Sequence, residues 1–504
     1  MTGLRVHVTD PIPGRSDSAA SLERNDGFSR LSPIVVGFPL ALDDTHPPAP
    51  GTDGPLMLIV AQPGATLGQH VPMRFEVFYN HQMNNPQSLL LAYPAAPLAA
   101  GTEYVAVVTD ALHAADGTVV AASHDARATL GLTPPVTQAE GDAVGYYAPD
   151  RAALTAASVD PAHVTRVWSF TTRSSEDAMS PLRTIRTAAI AAVDAGHFGV
   201  TIDTVTVPTI TGATLIVEGR VTGLPMFIAA DGQFLRDAGG ALMSTSTHDA
   251  PFRVLIPTGT GNYPIAMFGH GLGGNFHDDS FDEVFAANHA AKVSVQFTGF
   301  TDTDVVNSFG GLTRAIIGSE AAAAGVVQAL GDATGIQRSL AGALGDALAA
   351  PMIGGMVNPT AGRRPDVARP VWAGGSLGGT LGLVYTAAEP SIVATVLNVP
   401  GAAWTHFIPA SVVFASVRAI VRSSYPAEID LRLAIAISQS AWDQIDGGAW
   451  VDALAARMPM MLIQESIGDP VLPNIGNEFV AASMHAVQLG AVLAPVAGVV
   501  PAAS

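Results

Sequence analysis

The sequence predicts a multidomain protein in which a β-rich domain precedes an α/β domain with a mainly parallel sheet. Short apolar or alternating runs recur at roughly regular spacing through residues 1–173, which is typical of a small sandwich. After residue 251, short apolar runs alternate with helical segments, as in sheets that helices cover on both faces. The length of 504 residues also favours two or three domains over one.

In the first domain, residues 1–173, four runs predict strands, and residues 150–159 have the pattern of a helix. The four runs are residues 56–61, 73–79, 88–93 and 104–109. Residues 174–250 are expected to connect the domains, with a helix over 182–195 and β-rich sequence over 204–228 that starts the next domain.

The second domain, residues 251–504, alternates predicted strands with helices such as 312–330. The strands are expected at 252–256, 264–268, 293–297, 371–373, 393–399 and 458–464. Residues 404–453 form too long a connection for one crossover, so we interpret them as a helical insertion over the C-terminal edge of the sheet, where a lid would lie.

Composition excludes several classes of function. The formal net charge of -19 argues against general binding to nucleic acid or anionic membranes. Without cysteine, thiol nucleophiles, disulfides and thiolate metal sites are impossible. Lys292 is the only lysine, and its surroundings are not those of a phosphate loop. The acidic run 277–283 is interpreted as a helix start in which Ser280 and Glu283 form a capping box, so we expect no metal or other cofactor.

The most informative motif is GxSxG at 374–378, which directly follows an apolar run. A serine at a sharp turn from strand to helix needs glycine neighbours, because the two elements approach closely. Gly374 and Gly378 occupy those two positions around Ser376. The motif therefore predicts Ser376 as a nucleophile, provided that oxyanion donors and a base are found elsewhere.

The donors are predicted in the loop after the strand at 264–268. The sequence there, His270-Gly271-Leu272-Gly273-Gly274, is an HGxxG motif that lets the backbone pass beside a substrate carbonyl. The Leu272 amide and the Leu377 amide, next after the serine, are the expected oxyanion donors. His270 and Gly271 are expected to support the loop.

These two motifs, each behind a strand and in this order, resemble the α/β-hydrolase superfamily from about residue 251 to the C-terminus. Residues 97–110 and 168–172 resemble bacterial Ig-like modules, and the whole chain resembles bacterial lipase-like serine esterases with an N-terminal Ig-like domain. The resemblance implies hydrolysis of a small-molecule or lipid ester through an acyl-enzyme on Ser376. It further implies a triad in the order serine, acid, histidine, and an extracellular or cell-envelope location.

The acid of that triad is expected at Asp469, in the loop after the strand at 458–464, with Glu465 as the alternative carboxylate. The histidine is not evident. In the family it follows a further helix and strand, whereas His485 is expected on a helix over 474–489, on the order of 15 Å from the serine. His406 is a poor substitute. We therefore expect either that the chain ends before the last strand and its histidine loop or that it lacks the base.

Two classes of function follow from the sequence. One is a carboxylic-ester hydrolase, either lipase-like or esterase-like, and the other is a hydrolase-like binding protein that no longer turns over substrate. A peptidase is a third class, with less support from the sequence. No run has the length and purity of a transmembrane helix, and residues 1–7 show no apolar signal region. The sequence leaves the oligomeric state open.

Overall fold

A computed structural model describes residues 2–7, 19–80, 87–425 and 427–502, with the side chains of 309, 312, 315, 416 and 417 left out. The strands are β1 (Ile34–Phe38), β2 (Leu56–Val60), β3 (Met73–Tyr79), β4 (Ser88–Pro94), β5 (Glu103–Thr109), β6 (Val164–Thr171), β7 (Gly199–Thr206), β8 (Ala213–Met226), β9 (Ser246–Pro257), β10 (Tyr263–Gly269), β11 (Ala291–Val295), β12 (Met352–Ile353), β13 (Met356–Val357), β14 (Pro365–Gly375), β15 (Ala394–Asn398), β16 (Met460–Gln464), β17 (Val487–Gln488) and β18 (Val500–Pro501).

The helices are α1 (Ala19–Leu22), α2 (His124–Thr129), α3 (Gln138–Tyr146), α4 (Ala148–Ala156), α5 (Ser175–Asp194), α6 (Asp282–Ala287), α7 (Val305–Gly311), α8 (Ala315–Ser339), α9 (Ala343–Ala349), α10 (Leu377–Ala388), α11 (Trp404–Phe407), α12 (Val412–Arg422), α13 (Glu428–Trp442), α14 (Val451–Arg457) and α15 (Asn474–Ser483). Among the described residues, none of these helices is long and apolar enough to cross a bilayer.

The chain divides into two compact units. One comprises Met1–Asp177 with Arg422–Ser440, and the other comprises Ala178–Val421 with Ala441–Ser504. The first unit is built on two antiparallel sheets of three strands each, in the orders β1-β4-β3 and β2-β5-β6. All four strands that the sequence predicts for this region are present. The prediction of a β-rich N-terminal region is therefore confirmed, whereas an Ig-like fold stays a prediction.

Alternation of side chains gives each of these sheets two apolar faces. One core takes alternate residues from both sheets, such as Val36 and Leu90 from one sheet and Leu58 and Ala106 from the other. The opposite face of the second sheet packs against Leu154 of α4. The opposite face of the first sheet, at Leu89, Leu91 and Tyr93, packs against Ile429 of α13. Each sheet is thus buried on both faces, which accounts for the nearly continuous burial of β4 and β5.

The second unit contains an eight-stranded sheet in the order β16-β15-β14-β10-β11-β9-β8-β7. The strands from β16 to β11 pair in parallel, and β9, β8 and β7 are added antiparallel. This mixed α/β architecture with a mainly parallel sheet is the predicted fold class. All six strands predicted after residue 251 are present, and residues 404–457 are largely helical.

The order of the strands determines where chemistry can occur. Consecutive strands β10 and β11 are neighbours, but β14 joins the sheet on the other side of β10. The loops after β10 and β14 therefore leave the same edge of the sheet side by side, at a point where the strand order reverses. Ligands of open α/β sheets bind in the crevice at such a point.

Asp150 in α4 of the first unit gives a test of the fold. Its side chain is 2% exposed, and its Oδ1 has no hydrogen-bond partner among the described residues. Burial, together with the nearby charge of Glu103, raises the pKa of Asp150 from 3.8 to about 6. Because the folded state holds this proton more tightly than the unfolded state, the free energy of unfolding falls as the pH rises through this range.

We expect Asp150→Asn to raise the melting temperature at pH 8, where the buried charge is fully present, and to change it little at pH 4. A pKa difference of about two units corresponds to about 3 kcal/mol. Thermal unfolding at both pH values measures the effect. Asp142→Asn, at an exposed position of the neighbouring helix α3, is the matched control and should act equally at both pH values. A pH-independent effect of Asp150→Asn would contradict the assignment.

Candidate active site

Ser376 lies at the tip of a sharp turn between β14 and α10. Its backbone has φ 56° and ψ -119°, a conformation that is costly for any residue except glycine. Surrounding hydrogen bonds hold it there. The Ser376 amide donates to the Asn398 carbonyl of β15 at 2.9 Å, and the Thr380 hydroxyl donates to the Ser376 carbonyl at 3.0 Å. The strained serine is the geometry that the GxSxG motif predicts.

Glycines around this turn allow three backbone segments to cross in close contact. A Cβ atom on Gly378 would lie 1.9 Å from the Gly269 carbonyl oxygen at the end of β10. A Cβ atom on Gly374 would lie 2.4 Å from the Gly378 carbonyl group. Both distances are far below van der Waals contact, so side chains are excluded at these positions. The glycines thereby bring the end of β10 against the first turn of α10.

The loop that follows β10 passes directly beside the serine. A Cβ atom added to Gly271 would lie 3.8 Å from the Ser376 Cβ atom, so there is room for only one further atom between this part of the loop and the serine. The Gly273 amide donates to the Phe300 carbonyl at 2.9 Å, which fixes the far side of the loop. The structure therefore brings the HGxxG loop and the serine together.

His270 braces this loop and is held in one tautomer. Its Nδ1 lies 2.7 Å from the Gly271 carbonyl oxygen, so Nδ1 must donate. Its Nε2 accepts the Phe297 amide at 2.9 Å. Burial lowers the pKa of His270, which is 1% exposed and stays neutral. With its only ring lone pair already used, His270 supports the loop and does not act as a base for Ser376.

The Leu272 and Leu377 amides are both oriented by elements that meet at the serine. Leu377 is the first residue of α10, where backbone amides have no partner inside the helix and the helix dipole favours negative charge. Neither amide makes a hydrogen bond with any described residue, and both residues line the same cavity as Ser376. This arrangement can place two donors around one oxyanion.

An apolar cavity of about 100 Å³ adjoins the serine. Its lining residues come from the loops after β10, β11 and β16, from the turn after β14 and the start of α10, and from residues 404–414 and 442. They are Leu272, Phe300, Ser376, Leu377, Thr380, Trp404, Phe407, Ile408, Ser411, Val413, Phe414, Trp442, Val471 and Leu472. None of these residues is charged; three of them carry hydroxyls, and the indole N–H of Trp404 is buried without a hydrogen-bond partner among the described residues.

Asp469 lies in the loop after β16, where it shapes a turn. Its Oδ1 accepts the amides of Val471 and Leu472 at 2.8 and 3.0 Å, and both of these residues line the cavity. Its Oδ2 makes no hydrogen bond with the described residues. Glu465, the alternative carboxylate, accepts the Asn474 side-chain amide at 2.7 Å, and burial raises its pKa. Neither carboxylate is hydrogen-bonded to a histidine in the described part of the chain.

No histidine lines the cavity in the described residues, and the Ser376 hydroxyl has no hydrogen-bond partner there. His406 is buried on α11, where its ring lies edge-on to Phe479 with the centroids 5.4 Å apart. His485 is exposed in the turn after α15 with φ 49°. It lies beyond the helix rather than on it, because α15 ends at Ser483. The structure thus leaves the predicted nucleophile without an imidazole beside it.

The acidic run 277–283, which follows the HGxxG loop, has a different structure from the one predicted. Asp282 is 2% exposed and pairs with Arg253 and with Lys292, whose Nζ lies 2.8 Å away. Lys292 is fully buried and also donates to the carbonyls of Asp278 and Ser280. The predicted capping box is wrong, because the N-cap of α6 is Phe281, with φ 65° and no side-chain cap. A buried ion-pair cluster, instead of a solvated helix start, fixes this segment.

One group in the described residues could geometrically hold a metal ion, and it lies in the first unit. The ligand atoms of His124, Asp125 and Glu140 lie within 4.8 Å of one another. Glu140 already accepts the amides of Val136 and Thr137 and hydrogen-bonds His124. These bonds make a helix cap, so the group has a structural explanation without a metal.

Sequence reasoning missed the aromatic walls of the cavity, Phe300, Trp404, Phe414 and Trp442. The rings of Trp404 and Trp442 stack at 5.1 Å although they are 38 positions apart in the sequence. The aromatic residues in the 404–453 insertion were the signal that could have predicted these walls. That they meet near the serine depends on how α11 and the end of α13 pack, which the sequence does not show.

The close approach of Gly378 to the Gly269 carbonyl predicts that one added methyl group strongly lowers the stability of the fold. We expect Gly378→Ala to lower the free energy of unfolding by about 3 kcal/mol or more. The added methyl group fits only if the Gly269 carbonyl or α10 moves, and either movement displaces the HGxxG loop. Chemical denaturation measures this loss. Gly310→Ala is the matched control, because its added Cβ atom meets nothing within 4 Å in α7. Equal effects of the two substitutions would contradict the proposed contact.

Comparison with known proteins adds little to this geometry. No family model and no curated protein matches the chain. Among solved structures, it is similar to acetyl xylan esterase 1 from a Thermoanaerobacterium species, with 16% identity, a TM-score of 0.38, and coverage of 61% of this chain and 85% of that one. An acetyl xylan esterase from a Paenibacillus species has 14% identity, a TM-score of 0.36 and the same coverage. An S-formylglutathione hydrolase from Agrobacterium tumefaciens has 12% identity, a TM-score of 0.29, and coverage of 57% and 90%.

Proposed function

We propose that this protein is a serine hydrolase that acts on carboxylic esters through an acyl-enzyme on Ser376. The observation that carries the proposal is the strained serine with two unpartnered amides, those of Leu272 and Leu377, at one apolar cavity. Strain of this kind persists where the surrounding structure maintains it, and it is concentrated at functional sites. Free amides at a helix start are suited to a developing oxyanion.

The chemistry has two steps. In the first, Ser376 Oγ bonds to the ester carbonyl carbon while the carbonyl oxygen becomes an oxyanion at the Leu272 and Leu377 amides. The carbon–oxygen bond to the alcohol then breaks, and the alcohol leaves with the proton that the serine lost. In the second step, water adds to the acyl-enzyme, the carboxylic acid leaves, and the serine hydroxyl is restored.

Asp469 is our candidate for the carboxylate that orients a histidine base in this reaction. It follows β16 at the same edge of the sheet as the serine, and its Oδ2 is not used by the described residues. Its Oδ1 also holds the turn that carries Val471 and Leu472. The residue therefore has a structural role beside the proposed catalytic one, and the two roles can be separated by substitution.

A second candidate function is binding without turnover. It is favoured by the Ser376 hydroxyl, which no described base activates. Loss of a triad member typically lowers turnover by several powers of ten, whereas the oxyanion site and substrate binding persist. A protein of this kind would react with a phosphonate probe slowly and would hydrolyse p-nitrophenyl acetate no faster than Ser376→Ala does. Ester turnover well above that variant would exclude it.

The serine assignment is tested by covalent labelling. We expect a fluorophosphonate probe to modify Ser376, as identified by mass spectrometry of the labelled peptide, and Ser376→Ala to abolish the labelling. Ser411→Ala is the matched control. Ser411 lines the same cavity, but its hydroxyl donates to the Val471 carbonyl at 2.6 Å, so its loss should leave the labelling intact. Labelling of a different serine would refute the site.

The two roles of Asp469 predict different responses to two substitutions. Asparagine can accept the Val471 and Leu472 amides and so keeps the turn, but it cannot stabilise an imidazolium. We expect Asp469→Asn to keep the thermal stability of the parent while lowering ester turnover, by as much as about three to four powers of ten if an imidazole depends on this carboxylate. Asp469→Ala should lower both turnover and stability. If the asparagine variant is as active as the parent, Asp469 is only a turn residue.

A further inference from the structure

We propose that the cavity beside Ser376 is the acyl pocket and that it restricts the enzyme to esters of short saturated acids, from acetyl to about butyryl. This inference rests on the proposed function and specifies its substrate class. It separates an esterase from a lipase of long-chain esters, a choice that the sequence leaves open.

The lining of the cavity determines the chemistry of its occupant. Two of its three hydroxyls are already engaged, since Thr380 donates to the Ser376 carbonyl and Ser411 donates to the Val471 carbonyl. Of the three hydroxyls only that of Ser376 is available, and the indole N–H of Trp404 is buried without a hydrogen-bond partner among the described residues. A charged acyl group would lose its hydration in this cavity without meeting an opposite charge. An unsubstituted hydrocarbon chain loses nothing and gains contact with the aromatic walls.

The volume of the cavity limits the length of that chain. An apolar protein cavity of about 150 Å³ accommodates benzene, which has six carbon atoms. By proportion, the 100 Å³ here accommodates about four carbon atoms. The carbonyl carbon lies at the oxyanion amides, so the remaining space holds a chain of about three further carbons.

The walls of the cavity do not yield easily to a longer chain. Trp404 and Trp442 are 7% and 4% exposed, and their rings stack at an angle of 19°. Phe300 also packs near Trp404, with the ring centroids 6.3 Å apart and the rings tilted by 53°. Closely packed aromatic side chains resist displacement, because moving one of them opens a void beside the next. The pocket should therefore have a sharp size limit.

The acyl group, not the alcohol, is the part of the ester that this pocket suits. The acyl group stays bonded to Ser376 through the whole covalent intermediate, whereas the alcohol must leave before water can attack. A cavity bounded by both oxyanion residues and by the aromatic walls can hold the part that stays. The departing alcohol needs a route to solvent, so its identity is less restricted by this lining.

A series of alkyl fluorophosphonates with ethyl, propyl and octyl groups on phosphorus, which takes the place of the carbonyl carbon, tests the inference on the unmodified protein. In each reaction the bond from Ser376 Oγ to phosphorus forms, the phosphorus–fluorine bond breaks, fluoride leaves, and the serine proton passes to solvent. We expect the ethyl and propyl probes to label Ser376 at least about tenfold faster than the octyl probe, since an excess methylene in a hydrophobic pocket costs about tenfold or more.

A filling substitution provides a second measurement that does not depend on removing a core aromatic. Val413 lines the cavity, whereas its neighbour Val412 is 49% exposed and does not. Val413→Phe should slow the propyl probe more than the ethyl probe, and Val412→Phe should change neither. Octyl labelling as fast as ethyl labelling in the unmodified protein overturns the size limit but leaves the proposed function intact. Absence of Ser376 labelling by every probe overturns the proposed function, and the inference with it.

Discussion

Three backbone segments, the end of β10, the end of β14 and the first turn of α10, pass one another at distances that only glycine permits. Gly269, Gly374 and Gly378 provide this contact, and nearly every feature of the candidate site depends on it. It brings the HGxxG loop against Ser376 and leaves two amides free at one point. It also requires the positive φ of the serine, because the chain must reverse within a single residue to enter the helix.

Electrostatic interactions extend this arrangement away from the serine. The segment after the HGxxG loop is held by the buried ion pair of Lys292 and Asp282, and Asp282 also binds Arg253. Because burial lowers the pKa of Lys292 while Asp282 opposes that shift, the pair is stable only when both partners are present. A neutral, fully hydrogen-bonded His270 completes the support. The HGxxG loop is thus fixed by polar bonds on one side and by glycine contacts on the other.

Local patterns in the sequence were sufficient to predict most of the strands and the sharp turn at Ser376, since both depend on neighbouring residues, although β1 was not predicted. The run at 56–61 predicts β2, which is buried throughout, because buried strands need continuous apolar sequence. Local sequence patterns failed to predict the structure where a residue distant in the sequence determines the local hydrogen bonds. Ser280 has the sequence of a helix cap, but its carbonyl is bound by Lys292. The aromatic cavity could not be foreseen either, because Trp404 and Trp442 meet only through the packing of separate helices.

The burial of Lys292 has a consequence for handling the protein. It is the only lysine in the 504 residues, and it is 0% exposed. The folded chain therefore presents no lysine side chain to amine-reactive dyes, crosslinkers or immobilisation surfaces. Such reagents reach this ε-amino group only when the segment around β11 opens. The rate of their reaction at Lys292 therefore measures how often the segment around β11 opens.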